Sequence, residues 1–264
     1  MIIDKIIKLW TFFSFVLILL IFAPLIALTL HAFTNSNISD LNSSILTQSI
    51  MISISTSIIS LFIIIFLGTP LAYFLSKIRS KFLYSLSTLI QFPIFIPPTV
   101  AGIALILLFN DSSVVGNFLS SLGIKIPFTI FAVIIAQVFV ASPFYIRTLQ
   151  LGLININKNY FNSARLLGAS SIKIFIFIII PNLRRSIFSG ALLAWSRSMG
   201  ELGATLLFAG NIFQETQTMP LAVLTSFENQ NGFDLAVLIA FVSILISSIV
   251  LILFSYINEK FLTE

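Results

Sequence analysis

The sequence predicts an all-α integral membrane protein with about six transmembrane helices. Of its 264 residues, 58% are hydrophobic and only 9% are charged, and the mean hydropathy is +1.10. Soluble domains carry about 25% charged residues, so this composition excludes a soluble globular protein. Apolar runs long enough for a helix to cross about 30 Å of hydrocarbon recur along the chain.

Six runs approach or exceed the roughly 20 residues that a transmembrane helix needs. They lie at Leu9–Leu30, Ile50–Phe74, Leu86–Phe109, Phe128–Leu149, Ser186–Ala209 and Leu235–Tyr256. The apolar run at 174–181 is too short to cross, and we interpret it as an interfacial or partner-covered segment. Residues 1–264 are interpreted as a single transmembrane domain. Its first span is expected to stay uncleaved, because no convincing small-residue cleavage site follows it.

The positive charges predict the orientation of the spans. Twelve of the fourteen Lys and Arg residues fall on one side of the six-span arrangement, whereas Lys125 falls on the other side and Arg197 lies within a span. Because positively charged loops are retained in the cytoplasm, both termini are predicted to be cytoplasmic. Orientation also accounts for the net charge of +5, so no nucleic-acid partner is expected.

Metal and thiol chemistry are not expected from this chain. It contains no cysteine and one histidine, His31. Disulfides are therefore excluded, and a single imidazole cannot assemble a zinc site by itself.

Prolines interrupt the third predicted span. Pro93, Pro97 and Pro98, followed by Thr99, remove three backbone donors and loosen the helix. Segments exposed to lipid rarely tolerate such a loss, so this span is expected to face the interior of the bundle. Pro143 indicates the same for the fourth span. Simple kinks that improve packing are the alternative.

Two opposite charges lie inside the fifth predicted span. Arg197 and Glu201 are four residues apart, and Thr205 continues the same face of a helix. Burying either charge alone costs at least about 2.5–3.5 kcal/mol on insertion scales, so the two are expected to pair. Gly200 and Gly203 remove bulk beside them, which permits close approach of another helix or a local break.

This pair has three interpretations: a static structural lock, a gate whose contacts differ between conformations, and a substrate-binding site. The last is the least favoured, because Glu201 would repel an anion and Arg197 is already compensated. A role in holding helices in a defined arrangement is therefore favoured over a role in binding a ligand.

The long connection between the fourth and fifth spans contains a first short helix. Asn157 or Asn159 can cap its start. Phe161, Ala164 and Leu167 would then lie on one face, three residues apart. A glycine at position 168 can end the helix in the left-handed conformation.

A second short helix is expected directly after that glycine. Ser170 or Ser171 can cap it, and Pro181 is expected to stop it or to bend it into the fifth span. Two short helices joined by a glycine suit a socket on a partner protein. A loop lying on the membrane surface, with its cations near lipid headgroups, is the alternative.

The connection "NSARLLGASSIKIFIFIIIPNL" resembles the cytoplasmic EAA loop of ABC-importer permeases, and it keeps every spacing of that pattern. Asn162 stands where the family has glutamate, and Ser163 replaces the first alanine. In the family this loop docks into a cleft on the ATP-hydrolysing subunit, so the resemblance implies a coupling role for residues 157–181. The residues implied are Asn162, Ser163, Ala164, Arg165, Gly168, Ala169 and Pro181.

Two further stretches narrow the resemblance. "FPIFIPPTVAG" is similar to the third span of molybdate and sulfate permeases, and "RSMGELGATLLFAGNIFQETQTMPLAV" is similar to the molybdate branch. Tungstate is inseparable from molybdate, and a sulfate or thiosulfate permease is the alternative. The gate and path residues implied are Pro97, Pro98, Thr99, Arg197, Ser198, Gly200, Glu201, Gly203 and Thr205. Hydroxyls of Thr99, Ser196, Ser198 and Thr205 are the candidates for lining the path.

The resemblance implies a homodimer in the bacterial cytoplasmic (inner) membrane, with a plastid membrane as the alternative. It also implies two copies of a separate ATPase and an external binding protein. The sequence has no G-x-x-x-x-G-K-[ST] phosphate loop, so the chain is expected to bind no cofactor directly and to use ATP through its partner. The rival functions are an ion-coupled secondary transporter, with Glu201 as the ion site, and a structural subunit without a path.

Overall fold

A computed structural model describes residues 2–35, 43–77 and 81–263. The described residues leave out part of the connection between the first and second predicted spans. They also leave out Arg79, one of the predicted cytoplasmic cations. In the described chain the helices are α1 (Ile2–Asn35), α2 (Ser44–Lys77), α3 (Lys81–Leu89), α4 (Phe92–Phe95), α5 (Pro98–Phe109), α6 (Val114–Ser121), α7 (Ile130–Ile154), α8 (Lys158–Leu166), α9 (Ser171–Ile174), a π-helical segment (Phe175–Ile179), α10 (Ile180–Met199), α11 (Gly203–Phe208), α12 (Met219–Glu228) and α13 (Phe233–Thr263).

The all-helical membrane fold is confirmed. Five helical segments of the described chain are long and apolar enough to cross a membrane, and a bent helix pair raises the number to six. The five segments are Trp10–Asn35, Ser44–Ser76, Ile130–Ile154, Ser171–Met199 and Phe233–Ile257. These segments and the bent pair correspond in order to the six predicted spans.

Helix α7 forms the centre of the bundle, where it packs against α2 and α10. In its most apolar stretch 56% of the residues are buried, against none in α1. Glycines permit this close packing: a Cβ on Gly68 of α2 would lie 3.0 Å from the Tyr145 ring, and a Cβ on Gly190 of α10 would lie 3.1 Å from it. Pro143 is buried within α7, as expected for a span that faces the interior.

Hydrogen bonds between side chains tie α2 to α7 inside the membrane. Ser60 Oγ donates to Gln137 Oε1 at 2.8 Å, and Gln137 Nε2 donates to Thr56 Oγ1 at 3.1 Å. Further along, Thr69 Oγ1 and the Tyr145 hydroxyl lie 2.7 Å apart. Such bonds are expected to hold the two helices as one unit, because an unpaired polar group has no water partner in hydrocarbon.

The third span is bent far more sharply than its even hydropathy predicts. Residues 85–95 and 98–109 form two helical arms at 112° to each other. Pro97 lies at the break and Pro98 begins the second arm, where the missing N–H costs nothing. Gly102 and its neighbours on α5 face the interior, as expected, whereas Pro97, Pro98 and Thr99 are exposed in the described chain.

The fifth span begins earlier than predicted, and it contains the local break that Gly200 and Gly203 allowed. We predicted a span over Ser186–Ala209. Instead, a helical segment of 29 residues runs from Ser171 to Met199, breaks at 200–202 and resumes as α11. The apolar run at 174–181 is therefore part of this long segment.

Candidate coupling loop and gate

The coupling loop, residues 157–181, begins with a helix that is capped at both ends. Asn157 Oδ1 accepts a hydrogen bond from the Asn159 amide at 3.0 Å, so position 157 is the cap. At the other end, Gly168 has a φ of +76°, and its amide donates to the Arg165 carbonyl at 3.0 Å. The Ala169 amide donates to the Ala164 carbonyl at 2.9 Å, which completes a Schellman motif. The predicted left-handed glycine is confirmed.

One face of the coupling loop packs on its own chain. Ala164 is buried, and Phe161 and Ala169 pack beside it in a cluster with Ala72 of α2 and Leu149 of α7. We expected Leu167 on the same face, but it follows the last helical turn and is 87% exposed. The loop is thus fixed to the α2–α7 unit on one side.

The opposite face of the coupling loop is accessible and combines apolar and basic groups. Leu166 is 89% exposed and Ile172 is 71% exposed, and no acidic residue occurs between Asp111 and Glu201. Large apolar side chains left exposed beside charges are typical of a docking surface. The exposed members of the implied coupling set are Asn162, Ser163, Arg165, Gly168 and Pro181.

Pro181 does not stop the second short helix, which was one of the two expected outcomes; the helix continues into the fifth span, as the other outcome required. Ser170 Oγ caps α9 by accepting from the Lys173 amide at 3.4 Å. The chain then widens into the π-helical segment, where the Ile180 amide bonds to the Phe175 carbonyl five residues back. This widening explains how a proline, which has no amide hydrogen and would crowd the turn before it, is accommodated. The coupling loop therefore continues into α10 as one rod.

The predicted ion pair forms at the far end of that rod. Arg197 Nη2 and Glu201 Oε2 are 2.6 Å apart, and the Glu201 side chain is fully buried. Glu201 Oε1 accepts a hydrogen bond from the Ala204 amide at 2.7 Å. The carboxylate therefore joins the end of α10 to the start of α11 across the break. The gate segment is defined here as residues 197–205.

Glycines bring α11 against α5. A Cβ on Gly203 would lie 2.8 Å from Pro98 Cβ and 3.1 Å from the Thr99 amide nitrogen. A Cβ on Gly102 would lie 3.0 Å from the Ala204 carbonyl oxygen. Gly200 ends α10 and provides the break, and Gly203 permits the close approach of α5. The sequence suggested both. The gate segment and the start of α5 form one site.

The four candidate lining hydroxyls fall into two groups. Thr99 and Ser196 are exposed in the described chain, whereas Ser198 and Thr205 are buried. Thr205 Oγ1 lies 2.9 Å from the Leu202 carbonyl oxygen and 3.2 Å from that of Glu201. The hydroxyl thus bonds the backbone of the break, and its role as a lining group stays a prediction.

Sequence reasoning missed a polar support for the gate on α2 and α12. The Met219 amide, at the start of α12, donates to Ser53 Oγ of α2 at 2.7 Å. Beyond α11, Asn211 Nδ2 donates to Thr225 Oγ1 at 2.6 Å. The available signal was a stripe of hydroxyls at helical spacing in an apolar span: Ser49, Ser53, Thr56 and Ser60.

The coupling loop thus runs continuously into a helix that breaks at a buried ion pair, within an all-helical membrane fold. A family model for the inner membrane component of binding-protein-dependent transport systems matches residues 64–263. The chain belongs to this family, and it is an ABC transporter permease of the import type.

Relatives narrow the family without deciding the substrate. The chain is 44% identical over 199 residues to a probable transport system permease protein, NifC, of Clostridium pasteurianum, covering 75% of this chain and 68% of that one. It is 32% identical over 203 residues to the molybdenum transport system permease ModB of Mycobacterium tuberculosis, covering 77% and 76%. It is 31% identical over 188 residues to the sulfate transport system permease CysT of Salmonella typhimurium, covering 71% and 67%.

Solved structures show the same fold at low sequence identity. A bacterial ABC transporter involved in the import of alginate matches with a TM-score of 0.74 at 16% identity, over 97% of this chain and 98% of that one. The inward-facing MetNI methionine ABC transporter matches with a TM-score of 0.64 at 14% identity, over 82% and 96%.

Proposed function

We propose that this chain is the membrane-spanning subunit of an importer for molybdate or tungstate. Two copies would form the path, two copies of a separate ATPase would bind the coupling loops, and an external binding protein would deliver the oxyanion. The similarity to a molybdenum permease and the G-E-x-G-A-T stretch at the gate support this substrate class. The chain itself would catalyse no reaction and bind no cofactor.

The observation that carries the mechanism is the continuity of the rod from Ser171 to Met199. At about 1.5 Å per residue, its 29 residues span about 43 Å. Closure of the ATPase around the coupling loop would displace one end of this rod. The other end would then move Gly200 and shift α11 against α5. The break at 200–202 directly follows the rod and is the place where α11 would change its angle relative to α10.

The contacts of Glu201 disfavour the ion-coupled alternative. An ion-coupling carboxylate has to exchange its ion with water during each cycle. Both oxygens of Glu201 are instead occupied within the chain, one by Arg197 and one by the Ala204 amide. A sulfate or thiosulfate permease remains the second candidate, because the similarity to a sulfate permease is of nearly the same degree.

The direct test is substrate-stimulated ATP hydrolysis by the assembled complex. The chain would be co-expressed with its candidate ATPase and binding protein, purified and placed in lipid vesicles. ATP hydrolysis would be recorded with the binding protein empty, loaded with molybdate, loaded with tungstate and loaded with sulfate. We expect stimulation by molybdate and tungstate.

Each outcome of this test has a distinct meaning. Stimulation by sulfate alone would keep the mechanism and change the substrate to that of the second candidate. If no ATPase co-purified and hydrolysis never responded, the coupling mechanism itself would be contradicted. The coupling role of residues 157–181 would then have to be abandoned.

A further inference from the structure

The two members of the ion pair in the gate segment are not equally accessible. The Arg197 side chain is 26% exposed, whereas that of Glu201 is 0% exposed. The carboxylate has a second partner, the Ala204 amide, on its other oxygen. The pair therefore has an orientation, with its negative end enclosed by protein and its positive end at an accessible surface.

The depth of Arg197 limits what that surface can face. Arg184 and Arg185 are expected to mark the cytoplasmic edge of the membrane, and Arg197 follows Arg185 by twelve residues of helix, or about 18 Å. That distance places it past the middle of a hydrocarbon core about 30 Å thick. A guanidinium exposed to acyl chains at this depth is costly. Its exposed part therefore faces a water-filled space or a second copy of the chain.

The neighbours of Arg197 favour the water-filled space. Gly203 holds α5 beside the gate segment, so that exposed Thr99 lies near the ion pair. Ser196 and Gly200 are also small and exposed, but they line a cavity with Met199, Leu202 and Val223 that Arg197 does not line. The polar neighbour Thr99 suits a path for a hydrated anion better than an apolar contact between two copies does.

We propose that the Arg197 guanidinium contacts the oxyanion directly as it passes the gate. This inference rests on the proposed function. The guanidinium has five N–H donors, and within the described chain its ionic contact is with Glu201 alone. Its planar fork can donate two hydrogen bonds to two oxygens of a tetrahedral oxyanion.

The buried carboxylate explains why such a contact would be transient. Glu201 neutralises most of the charge of Arg197, so a passing dianion is attracted without being held, as conduction requires. An anion arriving from the accessible side meets the guanidinium and not the enclosed carboxylate. The contact selects for tetrahedral oxyanions as a class and does not separate molybdate, tungstate and sulfate.

The test compares four variants in the complete complex in lipid vesicles: Arg197→Gln, Arg197→Lys, Glu201→Gln and the double variant Arg197→Gln/Glu201→Gln. The rate of molybdate uptake would be measured with loaded binding protein in excess, beside complex assembly by size-exclusion chromatography. The double variant is decisive because it leaves no unpaired charge, so poor insertion cannot account for its rate.

Direct contact predicts that the double variant transports at least about tenfold more slowly than the unaltered chain, since a hydrogen bond to a charged group is worth that factor. Arg197→Lys should fall between the unaltered chain and Arg197→Gln, because it keeps the charge and loses the fork. Assembly of the double variant should be normal.

Two results would overturn this inference alone. If the double variant transported as fast as the unaltered chain, Arg197 would serve only to compensate Glu201. If the double variant lost the homodimer, Arg197 would face the second copy. A lack of oxyanion uptake by the unaltered complex would instead overturn the proposed function, and this inference with it.

Discussion

The two ends of the rod from Ser171 to Met199 each depend on a glycine, for different physical reasons. Beside its first end, Gly168 has a φ of +76°, and a Cβ added there would meet nothing within 4 Å. Beyond its last residue, Gly203 lies outside the left-handed region, but a Cβ there would lie 2.8 Å from Pro98 Cβ. The first glycine is needed for its conformation and the second for its lack of volume.

This difference separates the two tasks of the segment. In the proposed mechanism, the end at Gly168 has to be rigid in its backbone and open at its surface, because a partner would fit onto it. The end at Gly203 would have to stay in contact with α5 while the break at 200–202 changes its angle. Substitutions at the two glycines should therefore fail in different ways.

The largest effect is expected for Gly203→Val. Its side chain would collide with Pro98 and with the Thr99 amide nitrogen, which backbone atoms cannot relieve cheaply. Overpacking of this kind costs about 1–3 kcal/mol and would separate α11 from α5. We expect a lower thermal unfolding midpoint of the purified chain and nearly complete loss of uptake.

The comparison for Gly203→Val is Gly200→Ala. Gly200 has a φ of −89°, and its added Cβ would meet only the Ser196 carbonyl oxygen, at 3.7 Å. The Gly200→Ala variant should lose clearly less stability and less uptake than the Gly203→Val variant. Equal losses for the two variants would show that helix propensity, and not contact with α5, decides the behaviour of this end.

An intermediate effect, confined to partner binding, is expected for Gly168→Asp. Aspartate accepts the left-handed conformation better than most residues, so the fold should be kept. The new side chain would project into the open space in which the ATPase is expected to dock. We expect normal expression and unfolding, with reduced co-purification of the ATPase.

Gly123→Asp is a matched control for that variant. Gly123 lies between α6 and α7, has the same φ of +76° and likewise has nothing within 4 Å of an added Cβ. It carries the same backbone strain outside the coupling loop. If both variants lost the ATPase equally, backbone strain would explain the effect and the docking role of Gly168 would be wrong.

Local sequence rules predicted the coupling-loop end of the rod, beside Gly168, better than its gate end, beside Gly203. The caps of the coupling loop follow from residue types at fixed offsets, and Asn157, Gly168 and Ser170 occupy the expected positions. The break at the gate was foreseen as an option, because two glycines flank a buried charge. Its partner across the bundle, the start of α5, was named only by resemblance.

Two features could not be predicted from hydropathy or from the general rule for proline. The even hydropathy of residues 86–109 gave no sign of a 112° bend, since hydropathy is insensitive to direction. The rule for proline left open whether Pro181 would stop the second helix or bend it into the fifth span, and the preceding π-helical turn lets the helix continue. The earlier start of the fifth span follows from that same turn.

The smallest effect is expected for Thr205→Val, which sharpens the description of the gate end. The buried Thr205 hydroxyl bonds the carbonyls of Leu202 and Glu201 at the break. Its loss leaves these carbonyls without that partner, at a cost of about 0.5–1.5 kcal/mol. Unfolding and uptake should both decline modestly, and Thr205→Ser, which keeps the hydroxyl, should restore most of the loss.

The two readouts for Thr205→Val distinguish its two roles. A hydroxyl that lines the path would slow uptake without changing the unfolding midpoint. A hydroxyl that bonds the break would lower both, because the same carbonyls lose their partner whether or not an anion is present. If neither changed, the break would be held without Thr205, and the ion pair with its bond to the Ala204 amide would be the main link between α10 and α11.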